Sequence, residues 1–303
     1  MIRVLANDGL QTDAINDLKL LGVEVITDHY DKDKLKDILK DFNVVIVRSA
    51  TKIDSEILRS ATNSKLKLII RAGVGIDNID VDYAEKIGIC VKNTPNASSE
   101  SVAELAIAHM FSVARFLGDS NYTMRNGKWN KKEYEGVELE GKTLGIIGMG
   151  RIGKALARIA NAIGMKVIYF TIEGEHKELE YEFLTFNDVL KKSDFISVHV
   201  PYDKENGYLI SKEQFDIMKN GVYLINCARG KVVDEEALLE ALDNGKVAGA
   251  GIDVFEEEPT VNKKLINHKR VSVTPHIGAS TKEAQERVSG EVVSIIKDFF
   301  SIS

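Results

Sequence analysis

The 303-residue chain carries 46 acidic and 40 basic side chains, a formal charge of −6, and 44% hydrophobic residues. That length exceeds a usual single domain, so two domains with separate cores are expected. Charges of both signs are interspersed, which argues against nucleic acid or an anionic membrane as the main partner, and no run of about 18 apolar residues or leader pattern occurs, so a cytoplasmic protein is expected.

From the first residue, strand patterns over 3–6, 23–27, 44–48, 66–71 and 89–92 alternate with amphipathic segments such as 14–21 and 35–41. This βαβ rhythm implies a parallel sheet. After the turn Thr94-Pro-Asn96, residues 98–116 place Val102, Leu105, Ala106, His109, Met110 and Val113 at helical spacing and lead into a second domain. The apolar face of this helix is more than one small domain needs, which points to a homodimer. Residues 126–140 are polar and loop-like. The rhythm restarts at Thr143, with strands over 144–147, 166–170, 195–199, 222–226, 247–253 and 271–274. A last helix over 282–300 is long enough to cross back over the first domain. The expected fold class is therefore α/β, two doubly wound parallel-sheet domains, with a Rossmann domain (96–279) inserted in a flavodoxin-like domain (1–95 and 280–303).

The most informative segment is Thr143-Leu-Gly-Ile-Ile-Gly-Met-Gly-Arg-Ile-Gly153. An apolar strand opening through Gly148-x-Gly150-x-x-Gly153 into a helix suits a dinucleotide: Gly148 permits the turn, Gly150 lets backbone approach a pyrophosphate, and Gly153 allows close helix–strand packing. The helix N-terminus then attracts the phosphates.

Three further clusters end predicted strands, where open α/β sheets place ligands: Asn226-Cys-Ala-Arg-Gly230, Asp253-Val-Phe-Glu-Glu-Glu-Pro259 and Thr274-Pro-His-Ile-Gly278. Singly, each has a bland reading: a surface ion pair for Arg229, a solvated turn for the glutamates, a loop histidine for His276. Jointly, beside a nicotinamide, they meet the needs of hydroxyacid oxidation. Histidine takes the O–H proton, a carboxylate orients the imidazole, and a guanidinium grips the substrate carboxylate. No metal is required. His29, His109, His176 and His268 lie away from the strand ends facing the cofactor, and His199 fits the adenine-side wall. Cys90 and Cys227 fit neither metal spacing nor a disulfide framework and are expected as buried or pocket-lining thiols.

Arg229, Glu258 and His276, in Asn-Cys-Ala-Arg-Gly, Asp-Val-Phe-Glu-Glu-Glu-Pro and Thr-Pro-His-Ile-Gly-Ala-Ser-Thr-Lys-Glu-Ala-Gln, resemble the motifs of the D-isomer-specific 2-hydroxyacid dehydrogenases over nearly the full length. The resemblance implies two α/β domains with the active site in the cleft between them, a C-terminal helix completing the substrate domain, and dimerisation through the cofactor domains. It makes Arg229 the substrate anchor, His276 the acid/base and Glu258 its partner. It also implies cofactor contacts from Arg151 and Ile152 at the diphosphate, from Thr171, His199, Val200 and Pro201, from Cys227, Ala228, Asp253 and Gly278 near the nicotinamide, and from Val74 and Ala279.

Within the family, Val47-Arg-Ser-Ala-Thr-Lys52, Arg71-Ala-Gly-Val-Gly-Ile-Asp-Asn-Ile-Asp80 and Asn93-Thr-Pro-Asn96 resemble the phosphoglycerate dehydrogenase branch. That implies a phosphorylated hydroxy or keto acid as substrate, with Arg48, Ala72, Gly73 and Asn96 joining Arg229 and His276 in binding it. Lys131 and Lys132 are further candidate cations, or a solvated loop. Thr171 stands where NAD-preferring members carry aspartate, and the next charges are Glu173 and Glu175, which oppose a 2′-phosphate. NAD is expected over NADP, with low ribose selectivity. The chain stops just after the closing helix, so feedback by serine through an appended domain is not expected. The alternatives are a hydroxypyruvate or glyoxylate reductase with the same trio, and an NAD(H)-sensing corepressor-like binding protein.

Overall fold

Val44-Val-Ile-Val47 and Leu68-Ile-Ile70 are short, mostly β-branched and apolar on both faces, as befits inner strands covered on both sides. The computed structural model describes residues 1–302, and in it the chain forms two compact units, Met1–Ser98 with Ala279–Ser303, and Ser99–Gly278.

In the first unit, β1 (Arg3–Ala6), α1 (Thr12–Leu20), β2 (Glu24–Ile26), α2 (Lys32–Ile38), β3 (Val44–Val47), α3 (Ser55–Ser60), β4 (Leu68–Arg71), α4 (Val81–Lys86) and β5 (Cys90–Asn93) follow one another. The sheet order is β2-β1-β3-β4-β5, every pair parallel, which is the flavodoxin-like doubly wound order. Asp31, Asp54 and Asp80 start α2, α3 and α4 by accepting backbone N–H groups of Lys34, Ile57 and Tyr83, each cap contributing about 1 kcal/mol.

In the second unit come α5 (Ser99–Arg115), α6 (Leu117–Arg125), β6 (Thr143–Ile147), α7 (Arg151–Ala162), β7 (Lys166–Phe170), β8 (Glu182–Phe183), α8 (Phe186–Lys192), β9 (Phe195–Val198), α9 (Lys212–Ile217), β10 (Val222–Asn226), α10 (Glu235–Asp243), β11 (Val247–Ile252), α11 (Lys263–Ile266) and β12 (Val271–Val273). The order β12-β11-β10-β9-β6-β7-β8 is the Rossmann order with one strand added at the β12 edge, again all parallel. One face packs Val102, Ala106 and Met110 of α5 and Leu156 and Ala160 of α7 onto Leu144 and Ile146. The other packs Val189, Leu190, Leu238 and Leu242 onto Ile196, Val198, Leu224 and Ile252.

The last helix, α12 (Lys282–Phe300), belongs to the first unit. Its Val288, Val292 and Ile296, one face at i, i+4 and i+8, cover Val4, Ala6, Val44, Ile46, Leu68 and Ile70. Burying each of the three is worth about 1.5–3 kcal/mol, so this side of the sheet depends on residues nearly 300 positions from its first strand.

Three expectations need correction. The second sheet has seven strands, because the two-residue β8 is too short to leave a pattern. The helix expected over 98–116 forms over Ser99–Arg115, but a further helix, α6, follows it after Phe116 turns left-handed at φ 54°. The apolar face of α5 is consumed inside its own unit, against α7 and the sheet, so its apolarity does not argue for a second copy.

Candidate active site

The glycine loop between β6 and α7 has a separate physical reason at each glycine. Gly148 sits at φ +97°, and a Cβ there would lie 2.4 Å from the His199 carbonyl oxygen. A Cβ on Gly153 would lie 2.3 Å from the Gly148 carbonyl oxygen, so α7 rests on the turn itself. Beside Gly150, the N-cap of α7, space is open. A bare backbone turn at the N-terminus of a 12-residue helix fits a pyrophosphate. Arg151 is exposed and Ile152 half-buried at the helix start. Thr171, buried, follows β7 and is succeeded by the exposed Ile172 and Glu173. The imidazole of His199 is turned inward: Nε2 lies 2.8 Å from Ser197 Oγ, and Nδ1 is buried without a partner among the described residues. Burial holds it down to about 4. Val200 and Pro201 continue the same loop, with a Val200 methyl close against Gly148.

The loops after β10, β11 and β12 bring Arg229, Glu258 and His276 into one cluster. His276 Nδ1 and Glu258 Oε2 are 2.7 Å apart, and the Phe255 N–H donates to Glu258 Oε1 at 3.1 Å, fixing the carboxylate from behind. Burial alone would raise the Glu258 carboxyl, but the bond to His276, the His276 charge, the Phe255 amide and Arg229 together hold it below the usual range. Both side chains are over a third exposed, so the pair adds little stability. Its effect is to orient the imidazole.

Backbone contact explains why these loops meet. A Cβ on Gly230 would lie 1.8 Å from the Phe255 carbonyl oxygen, so only glycine lets the Arg229 turn press on the loop that carries Glu258. Asn226 shapes that turn, accepting from the Ala228 N–H at 3.1 Å and donating to the Arg229 carbonyl at 2.9 Å. Cys227 is buried, and burial, followed by the Asp253 charge, pushes its thiol far up. A thiol pushed that far up is not a nucleophile near neutral pH.

Asp253 is 1% exposed and organises the His276 loop. Its carboxylate accepts the Thr274 hydroxyl at 2.6 Å and the Ile277 and Gly278 N–H groups at 2.8 and 2.9 Å, and its carbonyl accepts the His276 N–H at 2.8 Å. His276 itself has φ 54°, a left-handed conformation that costs of order 1–3 kcal/mol in a non-glycine residue and persists only where the surroundings enforce it. By sequence, His109 lies away from the strand ends facing the cofactor. The structure places its ring between Ser272 and Thr274, 3.0 Å from each hydroxyl, so an α5 residue reaches the end of β12. A helical apolar pattern carries no signal for this contact.

In the first unit, Arg48 follows β3. Its N–H donates to Asp8 at 2.6 Å, Asp8 also accepts Thr51, and its guanidinium bonds to Gln285 of α12. Thr12, Arg48, Ala72, Gln285 and Ser289 are among the residues around a cavity of about 270 Å³. Ala72 is buried, and Gly73, at φ +151°, makes room for the Arg71 guanidinium. The Asn93 amide donates to the Val74 carbonyl at 2.5 Å. Asn96 is exposed on the turn before Ala97, and the Ala279 carbonyl accepts from Gln285 at 2.8 Å. In the second unit, Lys131 and Lys132 stand exposed on a short 3₁₀ turn.

Residues 107–278 match the D-isomer-specific 2-hydroxyacid dehydrogenase, NAD-binding domain. The chain is 45% identical to the hydroxypyruvate reductase of Thermotoga maritima over 97% of both chains. It is 44% identical to the D-3-phosphoglycerate dehydrogenase of Bacillus subtilis, over 99% of this chain but 57% of that one. Among solved structures, the D-lactate dehydrogenase of Aquifex aeolicus complexed with NAD and lactic acid superposes with a TM-score of 0.84 at 34% identity, covering 99% of this chain and 95% of that one.

Proposed function

We propose that this chain, which belongs to the D-isomer-specific 2-hydroxyacid dehydrogenase family, oxidises the C2 hydroxyl of 3-phosphoglycerate to 3-phosphohydroxypyruvate, the entry step of serine synthesis, or runs the reverse reduction. Its second unit is an NAD-binding domain, in which the turn Gly148–Gly153 and the loops bearing Cys227, Ala228, Asp253 and Gly278 would hold the dinucleotide. When bound, the nicotinamide supplies the hydride-carrying chemistry. The protein's own part is proton transfer and charge. In the reducing direction His276 donates a proton to the substrate's C2 oxygen, and in oxidation it takes the hydroxyl proton. Glu258, ionised because its carboxyl is held low, binds His276 Nδ1 and so keeps Nε2 free for substrate. Arg229 pairs with the substrate carboxylate and stabilises charge on the neighbouring oxygen.

The observation that supports a phosphorylated substrate is Arg48 on the wall of the first unit's cavity. Asp8 accepts the Arg48 backbone N–H and both donors of Thr51, and the guanidinium is bonded to the uncharged Gln285 amide, so its charge is open to an incoming anion. Hydroxypyruvate reduction is the second reading, favoured by the relative from Thermotoga matched over nearly its whole length. We further propose a cytoplasmic homodimer, with the exposed Leu117, Tyr122, Met124 and Trp129 of the α6 region as apolar surface available for contact; light scattering giving a monomer would refute this. Comparing kcat/KM for phosphohydroxypyruvate, hydroxypyruvate and glyoxylate tests the substrate, with preference for phosphohydroxypyruvate expected. NADH is expected to outperform NADPH, because Glu173 and Glu175 follow Thr171. A clear NADPH advantage would overturn that part, and turnover of none of the three acids despite NADH binding would favour a sensor.

A further inference from the structure

The proton positions around His109 follow from its partners. Asp253 accepts the Thr274 hydroxyl hydrogen at 2.6 Å, so Thr274 Oγ1 has only lone pairs left for His109 Nε2 at 3.0 Å. Nε2 therefore carries a hydrogen. Burial holds His109 below the ordinary histidine range, against the pull of Asp253, so the ring is neutral and Nδ1 accepts from Ser272 Oγ at 3.0 Å. The result is a one-way chain of donors from Ser272 through His109 and Thr274 to the Asp253 carboxylate. The same carboxylate receives the two amides that follow His276. Its setting is tight, since a Cβ on Gly251 of β11 would lie 2.5 Å from His109 Cβ. Glycine at 251 is what lets α5 come close enough for the ring to reach Thr274.

We propose that His109 is a positioning residue for the reaction: through Thr274 it fixes the Asp253 carboxylate, which in turn clamps the 276–278 loop and aims the His276 imidazole. Neither His109 nor Thr274 need touch substrate. The inference rests on the reading of His276 as the acid/base. A displacement of about 1 Å at a reacting group costs up to about 100-fold in rate, which sets the size of the effect.

The test is steady-state reduction of phosphohydroxypyruvate or hydroxypyruvate, whichever the wild type turns over faster, by His109→Leu, His109→Gln, Thr274→Val, Thr274→Ser and His276→Ala, with melting temperature recorded for each. In His109→Leu and Thr274→Val, kcat is expected to fall about 10- to 100-fold while KM for the keto acid stays within about threefold. His109→Gln, which returns an N–H near the Nε2 position, and Thr274→Ser, which returns the hydroxyl, are expected to recover most of that loss. A purely structural role would lower the melting temperature without this split or this rescue. Folded His109→Leu and Thr274→Val enzymes with wild-type kcat would overturn the proposal, as would losses that Gln and Ser fail to restore. If His109→Leu does not fold, Thr274→Val, an exchange of hydroxyl for methyl, carries the test. Should His276→Ala keep its activity, the reading of His276 falls; should it lose activity while the other variants keep theirs, only the present inference falls.

Discussion

The two units place functional side chains at the same topological position, the C-terminal ends of parallel strands, but hold them by different means. In the second unit the loops are pinned by backbone: Gly230 against Phe255, Asp253 on three successive residues of the His276 loop, and a left-handed His276. In the first, the Arg48 backbone is tied too, to Asp8 and Asn78, but its long side chain ends on the Gln285 amide of α12. A backbone-pinned group is ready for chemistry at a set distance, whereas a guanidinium on a flexible stem suits recognition of an anion. Under the proposed function, the difference gives bond-making to one unit and selection to the other.

The largest expected effect breaks the pinned cluster at its reacting group. His276→Ala should lower kcat by about 10²- to 10⁴-fold, the usual share of general acid–base catalysis, with the NADH dissociation constant unchanged by fluorescence titration. Retained turnover would remove His276 from the mechanism.

Acid should weaken the second unit before the first. His199, half-buried with its Nδ1 enclosed, is neutral and held down to about 4 by burial, whereas His29 in the first unit is 63% exposed. Between roughly pH 6.5 and 4 the unfolded chain binds a proton at His199 that the folded state does not, so stability falls as pH falls through that window. At about pH 5 the contribution lost is about 2 kcal/mol. Hydrogen exchange should show amides of the second unit opening first on acidification, and uniform behaviour of both units would contradict the contrast.

A smaller effect is expected from Gly230→Ala. The added methyl meets the Phe255 carbonyl, so the two loops must part at a cost of about 1–3 kcal/mol. Melting temperature and kcat should fall together, while KM terms set by Arg48 stay put. A wild-type kcat would mean that loop contact does not position Arg229 against Glu258.

Much of this organisation is legible in the residues because local signals and packing agree. Apolar runs of four or five residues between amphipathic segments mark the strands, and the three glycines after Ile147 mark the turn, where Gly148 takes a positive φ, Gly153 rests on the Gly148 carbonyl and Gly150 leaves the helix start open. The helix α6 after Phe116 is not legible, because no residue of Leu117–Arg125 is buried and the segment carries no core face. The short β8 lacks length for any periodicity. His109 was hidden for another reason. Its spacing is that of a core position, and only the approach of α5 to β11 over Gly251 gives its ring a polar partner 165 positions away.

The division of labour is tested most directly by the ratio of kcat/KM for phosphohydroxypyruvate to that for hydroxypyruvate, in the wild type and in Arg48→Ala. Removing a charged hydrogen-bond donor to the phosphate should lower that ratio by about 10- to 100-fold, through KM, with kcat for either acid retained. An unchanged ratio, or equal losses of kcat on both acids, would contradict the account.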